Sequence, residues 1–376
     1  MKKVVTVFVL LFVILNFNIS ASAEEISVSA KAAVVICADS KDVIFEKNIH
    51  QKLPMASTTK IMTALILAEQ NDLSKTVTVT NEMVMVEGSS MGLKAGDTVT
   101  LSDLLYGMLL ASGNDAANVA AYAIGGSLKA FAKLMNEKAE TIGLKNTNFV
   151  TPSGLDNENH YSTAYDMALL TAYALNNPYF KTACSTYTKT LEFGSPKVKH
   201  YYKNHNKLLN IYNGMIGVKT GFTKKSGRCL VTAANRNGST IIAVTLSAPD
   251  DWNDHRKMLD FGFDNIQKTL VSAEVPDNIN VITGDCDKVK IFAPEKYFTV
   301  SKNSKLNIVA KVLLPEFIYS SINAGETVGS VEYYLGDNLI CRDNIISVAD
   351  VLYRNNKPEF SKMIKEKFLY LLRLVI

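Results

Sequence analysis

Residues 54–69 read PMASTTKIMTALILAE. The run from Ile61 to Ala68 is apolar and rich in Leu and Ala, which predicts a buried helix, with the polar tetrad Ser57-Thr58-Thr59-Lys60 in its first turn. Residues three apart on a helix share a face, so this spacing predicts the Ser57 hydroxyl beside the Lys60 ammonium. A serine is a weak nucleophile until a neighbour takes its proton, and a lysine of lowered pKa is one of the few groups able to do so. At a buried cleft, such a pair makes an acyl-transfer enzyme. The tetrad is short, and Ser and Thr are also the ordinary caps of a helix N-terminus. Its meaning depends on partners elsewhere in the chain.

Two further stretches supply them. Residues 101–126, LSDLLYGMLLASGNDAANVAAYAIGG, have the apolar spacing of buried helices, with Ser102 as the expected N-cap and Gly125-Gly126 as the stop. Ser112-Gly113-Asn114 breaks that apolar stretch, and a polar interruption of a buried segment projects side chains into a cavity. Lys219-Thr220-Gly221 lies in the strand-like run GMIGVKTGFT (214–223), where Gly221 lets the backbone approach a ligand closely. Lys219 and Thr220 are then suited to an anionic group such as a terminal carboxylate. Ser-x-Asn also occurs at Ser301 and Ser321, in runs that read as loops, so the order and local setting of the three motifs carry the signal.

The 376 residues are 47% hydrophobic and 20% charged, enough for more than one domain at about 100–200 residues each. Lys2 and Lys3, a long apolar run and Ala21-Ser22-Ala23 predict a cleaved export signal over 1–23. The formal charge of +4 falls to +2 without it, and the remaining charges are interspersed, which excludes a nucleic-acid footprint. The five cysteines, odd in number and scattered, read as mostly buried free thiols. The histidines have no metal-ligand spacing, so neither a metal nor a cofactor is expected. Asp250 to Asp254 reads as a solvated connection.

From 24 to 270, helical and strand-like patches alternate, predicting an α/β (α+β) domain. SLKAFAKLMNEKAETIGL (127–144) is an amphipathic helix ending at Gly143; GRCLVTAANR (227–236) and STIIAVTLSA (239–248) form a hairpin turning at Asn237-Gly238. From 277 to 350, short β-branched runs separated by Gly and Asn predict a small all-β, sandwich-like domain. Residues 358–376 set Phe360, Ile364, Phe368, Leu371, Leu372 and Val375 against Lys362, Lys365, Lys367 and Arg373. That pattern predicts an amphipathic helix lying in a membrane interface.

The motif set Ser57-x-x-Lys60, Ser112-x-Asn114 and Lys219-Thr220-Gly221 is that of penicillin-binding proteins and serine β-lactamases. ASTTKIMTA, GSSMGL, LLYGMLLASGNDAA, TPSGLD, NHNKLL and GVKTGFT make the chain resemble the low-molecular-weight D-alanyl-D-alanine carboxypeptidases, from export signal to tail. The resemblance implies a penicillin-binding, β-lactamase-like catalytic domain with Ser57 as acyl-ester nucleophile, Lys60 as proton acceptor and Ser112 as relay to the departing D-alanine. It implies Asn114 orienting the substrate amide, Lys219 and Thr220 binding the terminal carboxylate, and the Ser57 and Phe222 N–H groups forming the oxyanion hole. The expected partners are peptidoglycan stem peptides, β-lactam inhibitors and the extracytoplasmic membrane surface. Where NHNKLL places His205, some relatives carry arginine, so a substrate contact there would depend on pH.

Three rivals share parts of this pattern. A β-lactamase of class A uses a glutamate for deacylation, and Glu137, Glu140, Glu158 and Glu192 all lack its Glu-x-x-Leu-Asn context. A D,D-endopeptidase would use the same machinery on crosslinks. An inactive wall-binding scaffold has no need of Ser57, Lys60, Ser112 and Lys219 together.

Overall fold

A computed structural model describes residues 26–354; the expected export signal and the expected amphipathic tail lie outside the described residues. Strand β1 (Ala32–Cys37) turns through Asp39-Ser40-Lys41 into β2 (Val43–Lys47). Ala32, Val34 and Ile36 enter one core while Ala33 and Val35 enter another, the period-two alternation of a strand covered on both faces. The chain then builds a helical region. It contains α1 (Lys60–Ala68), the short β3 (Thr76–Thr78), α2 (Asn81–Val84) and β4 (Thr98–Thr100), followed by α3 (Leu101–Leu110), α4 (Asn114–Gly125) and α5 (Leu128–Ile142). Helices α6 (Ala164–Ala174) and α7 (Pro178–Ser185) complete it.

A ribbon, β5 (Thr188–Phe193) and β6 (Val198–Lys203), leads to three long strands: β7 (Met215–Thr223), β8 (Gly227–Arg236) and β9 (Ser239–Leu246). These join the first hairpin in a five-stranded sheet ordered β2-β1-β9-β8-β7, antiparallel at every pairing. The larger core lies between one sheet face and the helices, with Leu65, Leu104, Leu109, Val119 and Met167 buried against Val34, Val231 and Val244. Each such side chain contributes about 1.5–3 kcal/mol on leaving water. Helix α8 (Asp251–Asp264) covers the other face through Met258 and Leu259. Three layers result, helices–sheet–helix.

Two local readings of the sequence are corrected. Thr100, not Ser102, caps α3, because Thr100 and Asp103 form a reciprocal capping box. Asp250–Asp254 is no solvated connection: it opens α8, and Asp251 and Asp254 are buried, bound to Arg228 and to Ser29 respectively. The thiols of Cys37, Cys184 and Cys229 are buried and free, while Cys286 and Cys341 are partly exposed.

The second unit is all β: β10 (Ile266–Val271), β11 (Asn278–Ile282), β12 (Lys288–Phe292), β13 (Lys296–Ser301), β14 (Ile308–Leu313), β15 (Phe317–Tyr319), β16 (Thr327–Leu335) and β17 (Asn338–Ser347). A six-stranded sheet, β14-β16-β17-β12-β11-β15, shares a core with the β10-β13 ribbon through Phe298, Val300, Val331 and Tyr333. The β1–β2 turn clips this unit to the first. Asp39 accepts from the Thr299 amide, Asp42 from the Ser301 amide, and the Ser40 hydroxyl donates to the Thr299 carbonyl.

Candidate active site

Ser57 sits in a single 3-10 turn, Ala56–Thr59, and Lys60 is the first residue of α1. The predicted common helix is therefore two joined helical types, yet the side chains still meet, because i and i+3 eclipse in a three-residue turn. Lys60 Nζ lies 3.0 Å from Ser57 Oγ. It also donates to Asn114 Oδ1 at 2.6 Å and to the Ser153 carbonyl at 2.7 Å. Lys60 is wholly buried, whereas Ser57 is half-buried and reachable from the cleft. Burial, and then the nearby Lys219 charge, pull the Lys60 pKa well below that of a free lysine, with Asp115 opposing. In the neutral form, with both hydrogens on these two acceptors, the amine lone pair is left for the third direction, toward Ser57.

The second motif sits where α3 ends and α4 begins. Ser112 has φ of 57°, a left-handed conformation that costs a non-glycine residue about 1–3 kcal/mol. That turn aims its hydroxyl at the third motif: Lys219 Nζ donates to Ser112 Oγ at 3.0 Å. Lys219 is also buried, and desolvation brings its pKa down to about 7. Asn114 is bonded at both ends of its amide, Oδ1 to Lys60 and Nδ2 to the Glu87 carbonyl.

The K-T-G glycine is also packed against the protein's own backbone. A Cβ on Gly221 would lie 3.1 Å from the Met55 carbonyl and from the Ser57 and Thr58 amides. Its bareness lets β7 lie against the nucleophile's own turn. Thr220 is half-buried, and the Phe222 ring is exposed at the rim. His205 is exposed near Lys219, and desolvation followed by the Lys219 charge lowers its pKa.

Several supporting groups escape sequence reasoning. The Ser153 carbonyl belongs to the phrase TPSGLD, and a backbone acceptor has no sequence signature. His160 accepts from the Val150 amide at Nδ1, so Nε2–H donates to Thr59 Oγ1 and ties that segment to the nucleophile turn. Its burial lowers its pKa to about 4, so it stays neutral. Asp115 is buried and accepts from Ser90 Oγ and from the Met91, Gly92, Leu93 and Ala116 amides.

A serine beside a buried lysine, faced by a strand lysine across a helical–sheet junction, defines a class: serine acyl-transfer enzymes of the penicillin-binding fold. A profile of the family described as D-alanyl-D-alanine carboxypeptidase matches residues 18–250, and that of the penicillin-binding protein 5 C-terminal domain matches 267–353. The chain belongs to the D-alanyl-D-alanine carboxypeptidase family, and is a serine-type hydrolase. It is 36% identical over 350 residues to D-alanyl-D-alanine carboxypeptidase DacF of Bacillus subtilis, covering 88% of this chain and 90% of that one. It is 32% identical to DacC of Escherichia coli over 365 residues, covering 92% and 90%. Among solved structures, penicillin-binding protein 5 of Haemophilus influenzae superposes with a TM-score of 0.64 at 29% identity, over 87% of this chain and 99% of that one.

Proposed function

We propose that Ser57 carries the acyl group in a D-Ala-D-Ala carboxypeptidase reaction on peptidoglycan stem peptides. Neutral Lys60 takes the Ser57 proton as Oγ bonds to the carbonyl carbon of the penultimate D-alanine. The Ser57 and Phe222 amides hold the developing oxyanion. The peptide C–N bond then breaks, and the proton passes through Lys60 and Ser112 to the departing amine. Water attacks the ester by the same route in reverse and regenerates Ser57. Lys219 and Thr220 hold the terminal carboxylate, so the enzyme selects chain ends. The observation that carries this reading is the triple contact of Lys60, whose Nζ is held by Asn114 and the Ser153 carbonyl at 3.0 Å from Ser57 Oγ.

β-Lactams fit the same chemistry, but their leaving group stays tethered after ring opening. No glutamate in a class A context serves deacylation, so the penicilloyl ester persists. The decisive experiment incubates the protein with a stem pentapeptide and with fluorescent penicillin. Free D-alanine and a stable label are expected, both lost in Ser57→Ala. Rapid turnover of penicillin, or no label on the wild type, contradicts the reading.

The domain reading assigns catalysis to 24–270 and a supporting role to the β unit, though β10 (Ile266–Val271) hydrogen-bonds to β13 within the latter. Residues 1–23 direct export, and 358–376 associate with the outer face of the cell membrane. The sequence pattern of basic and apolar residues supports that attachment. Deleting the residues after Pro358 is expected to release the protein from membranes and leave activity on soluble peptide intact.

A further inference from the structure

Exposed apolar side chains occur on several strands of the β unit, Phe292, Tyr297 and Val309 among them, and at one edge five of them gather. Strand β15 ends the six-stranded sheet, and Ile318 points into the core, so Phe317 and Tyr319 point out. Tyr319 pairs with Ile282 of β11, which is also exposed. The last described residues close on the same place. Tyr353 bridges Gly284, the Leu352 carbonyl accepts from the Asp285 amide, and the Arg354 amide donates to the Thr283 carbonyl. Tyr319, Leu352 and Tyr353 are 64%, 62% and 61% exposed. Sheet edges exposed to water are ordinarily protected by charge, and a contiguous apolar edge marks a contact surface.

We propose that this edge, formed by Ile282, Phe317, Tyr319, Leu352 and Tyr353, contacts lipid and seats the β unit on an anionic bilayer. The proposal rests on the membrane reading of 358–376 and extends it to a second, folded point of contact. Three observations choose lipid as the occupant. Tyrosine has an apolar ring and a polar tip, the chemistry of the headgroup boundary, and two of these five residues are tyrosines. Lys288 and Lys290 lie outward on β12, opposite Asn280 and Asn278, and Asn280 pairs in turn with Phe317. These two cations lie beside the apolar edge, where they meet anionic headgroups, and the carboxylates of Asp285, Asp287 and Glu316 are exposed there as well. Finally, the described chain ends at Arg354 on this very edge, so the Leu-, Phe- and Lys-rich sequence that follows starts from it. A flexible stalk would leave the unit free to tumble; an edge in the interface fixes its orientation.

The test uses the full chain with vesicles of phosphatidylglycerol and phosphatidylcholine. Tyr319→Ser/Leu352→Ser/Tyr353→Ser is expected to partition about tenfold more weakly than wild type, with penicillin labelling of Ser57 unchanged. Without any mutation, vesicles should slow amide exchange at 282–284, 317–319 and 352–353. Equal partitioning of variant and wild type, or unchanged exchange at those amides, overturns the proposal. So does a lipid-free wild-type dimer that the triple substitution makes monomeric, since the edge then belongs to a second copy. Leu371→Glu/Leu372→Glu separates the two readings: if it binds as wild type while the edge variant does not, the tail reading falls and the edge stands. A wild type that ignores vesicles altogether removes both.

Discussion

Lys60 Nζ lies closer to Asn114 Oδ1, at 2.6 Å, than to Ser57 Oγ, at 3.0 Å. The asparagine thus holds the lysine with a neutral acceptor, which orients the amine without stabilising its charge. Asn114→Asp is nearly isosteric and places a carboxylate at the same distance. An opposite charge so close raises a lysine pKa by about 1–3 units. A general base must be unprotonated, so activity rises with pH through its pKa. The acidic limb of the penicillin acylation profile should therefore move to higher pH by about 1–3 units, and at a fixed pH on that limb the rate should fall about tenfold per unit of movement. An unshifted limb would mean that Asn114 does not tune Lys60.

Lys219 binds a carboxylate in this reading while its own pKa stands at about 7. A bound anion favours the charged ammonium, so the pKa is higher in the complex than in the free enzyme. Below pH 7 both states are protonated and affinity is full. Above it, binding must take up a proton, and affinity drops as pH rises until the bound-state pKa is reached. KM for a stem peptide should thus climb above neutral pH by up to about tenfold per unit. Lys219→Arg keeps its charge and should flatten that rise. A wild-type KM independent of pH from 6 to 9 would refute the assignment.

Asp115 accepts only from donors, four of them amides and one the Ser90 hydroxyl. Asp115→Asn would turn an NH2 group against backbone N–H groups with no room to relax. Losing charge-assisted bonds and leaving buried amides unpaired should cost about 2–4 kcal/mol. Urea unfolding of the catalytic unit measures this directly. A substitution that leaves the midpoint unchanged would show that the 89–93 segment is held by other contacts.

What the sequence made legible follows from what periodicity and motifs encode. The hairpin at Asn237-Gly238, the α4 stop at Gly126 and the amphipathic α5 were readable because turn chemistry and apolar spacing are local. The Ser57, Ser112 and Lys219 motifs were readable because side-chain chemistry requires those residue types. What was hidden is carried by backbone and by distance in the chain. The Ser153 and Glu87 carbonyls hold Lys60 and Asn114, but any residue has a carbonyl. Asp250–Asp254 looked like a loop because its burial partners, Arg228 and Ser29, are remote in sequence.

The same lesson gives the sharpest prediction, at Gly154. Its φ is +85°, and a Cβ there would stand 1.9 Å from the Ala56 carbonyl oxygen and 2.7 Å from Thr59 Oγ1. Both belong to the nucleophile turn, and Gly154 follows directly on the Ser153 carbonyl that holds Lys60. Gly154→Ala must therefore push the 152–155 segment off that turn, taking the carbonyl from Lys60. Penicillin acylation should slow about 100-fold, the scale of a misplaced positioning group. Backbone strain alone does not explain such a loss, and Gly143→Ala is the control. Gly143 has φ of +86° with nothing within 4 Å, so alanine there meets strain without a clash. That variant should lose about 1–2 kcal/mol of stability and label normally. If both variants label alike, the close approach of Gly154 to Ala56 does not position the base.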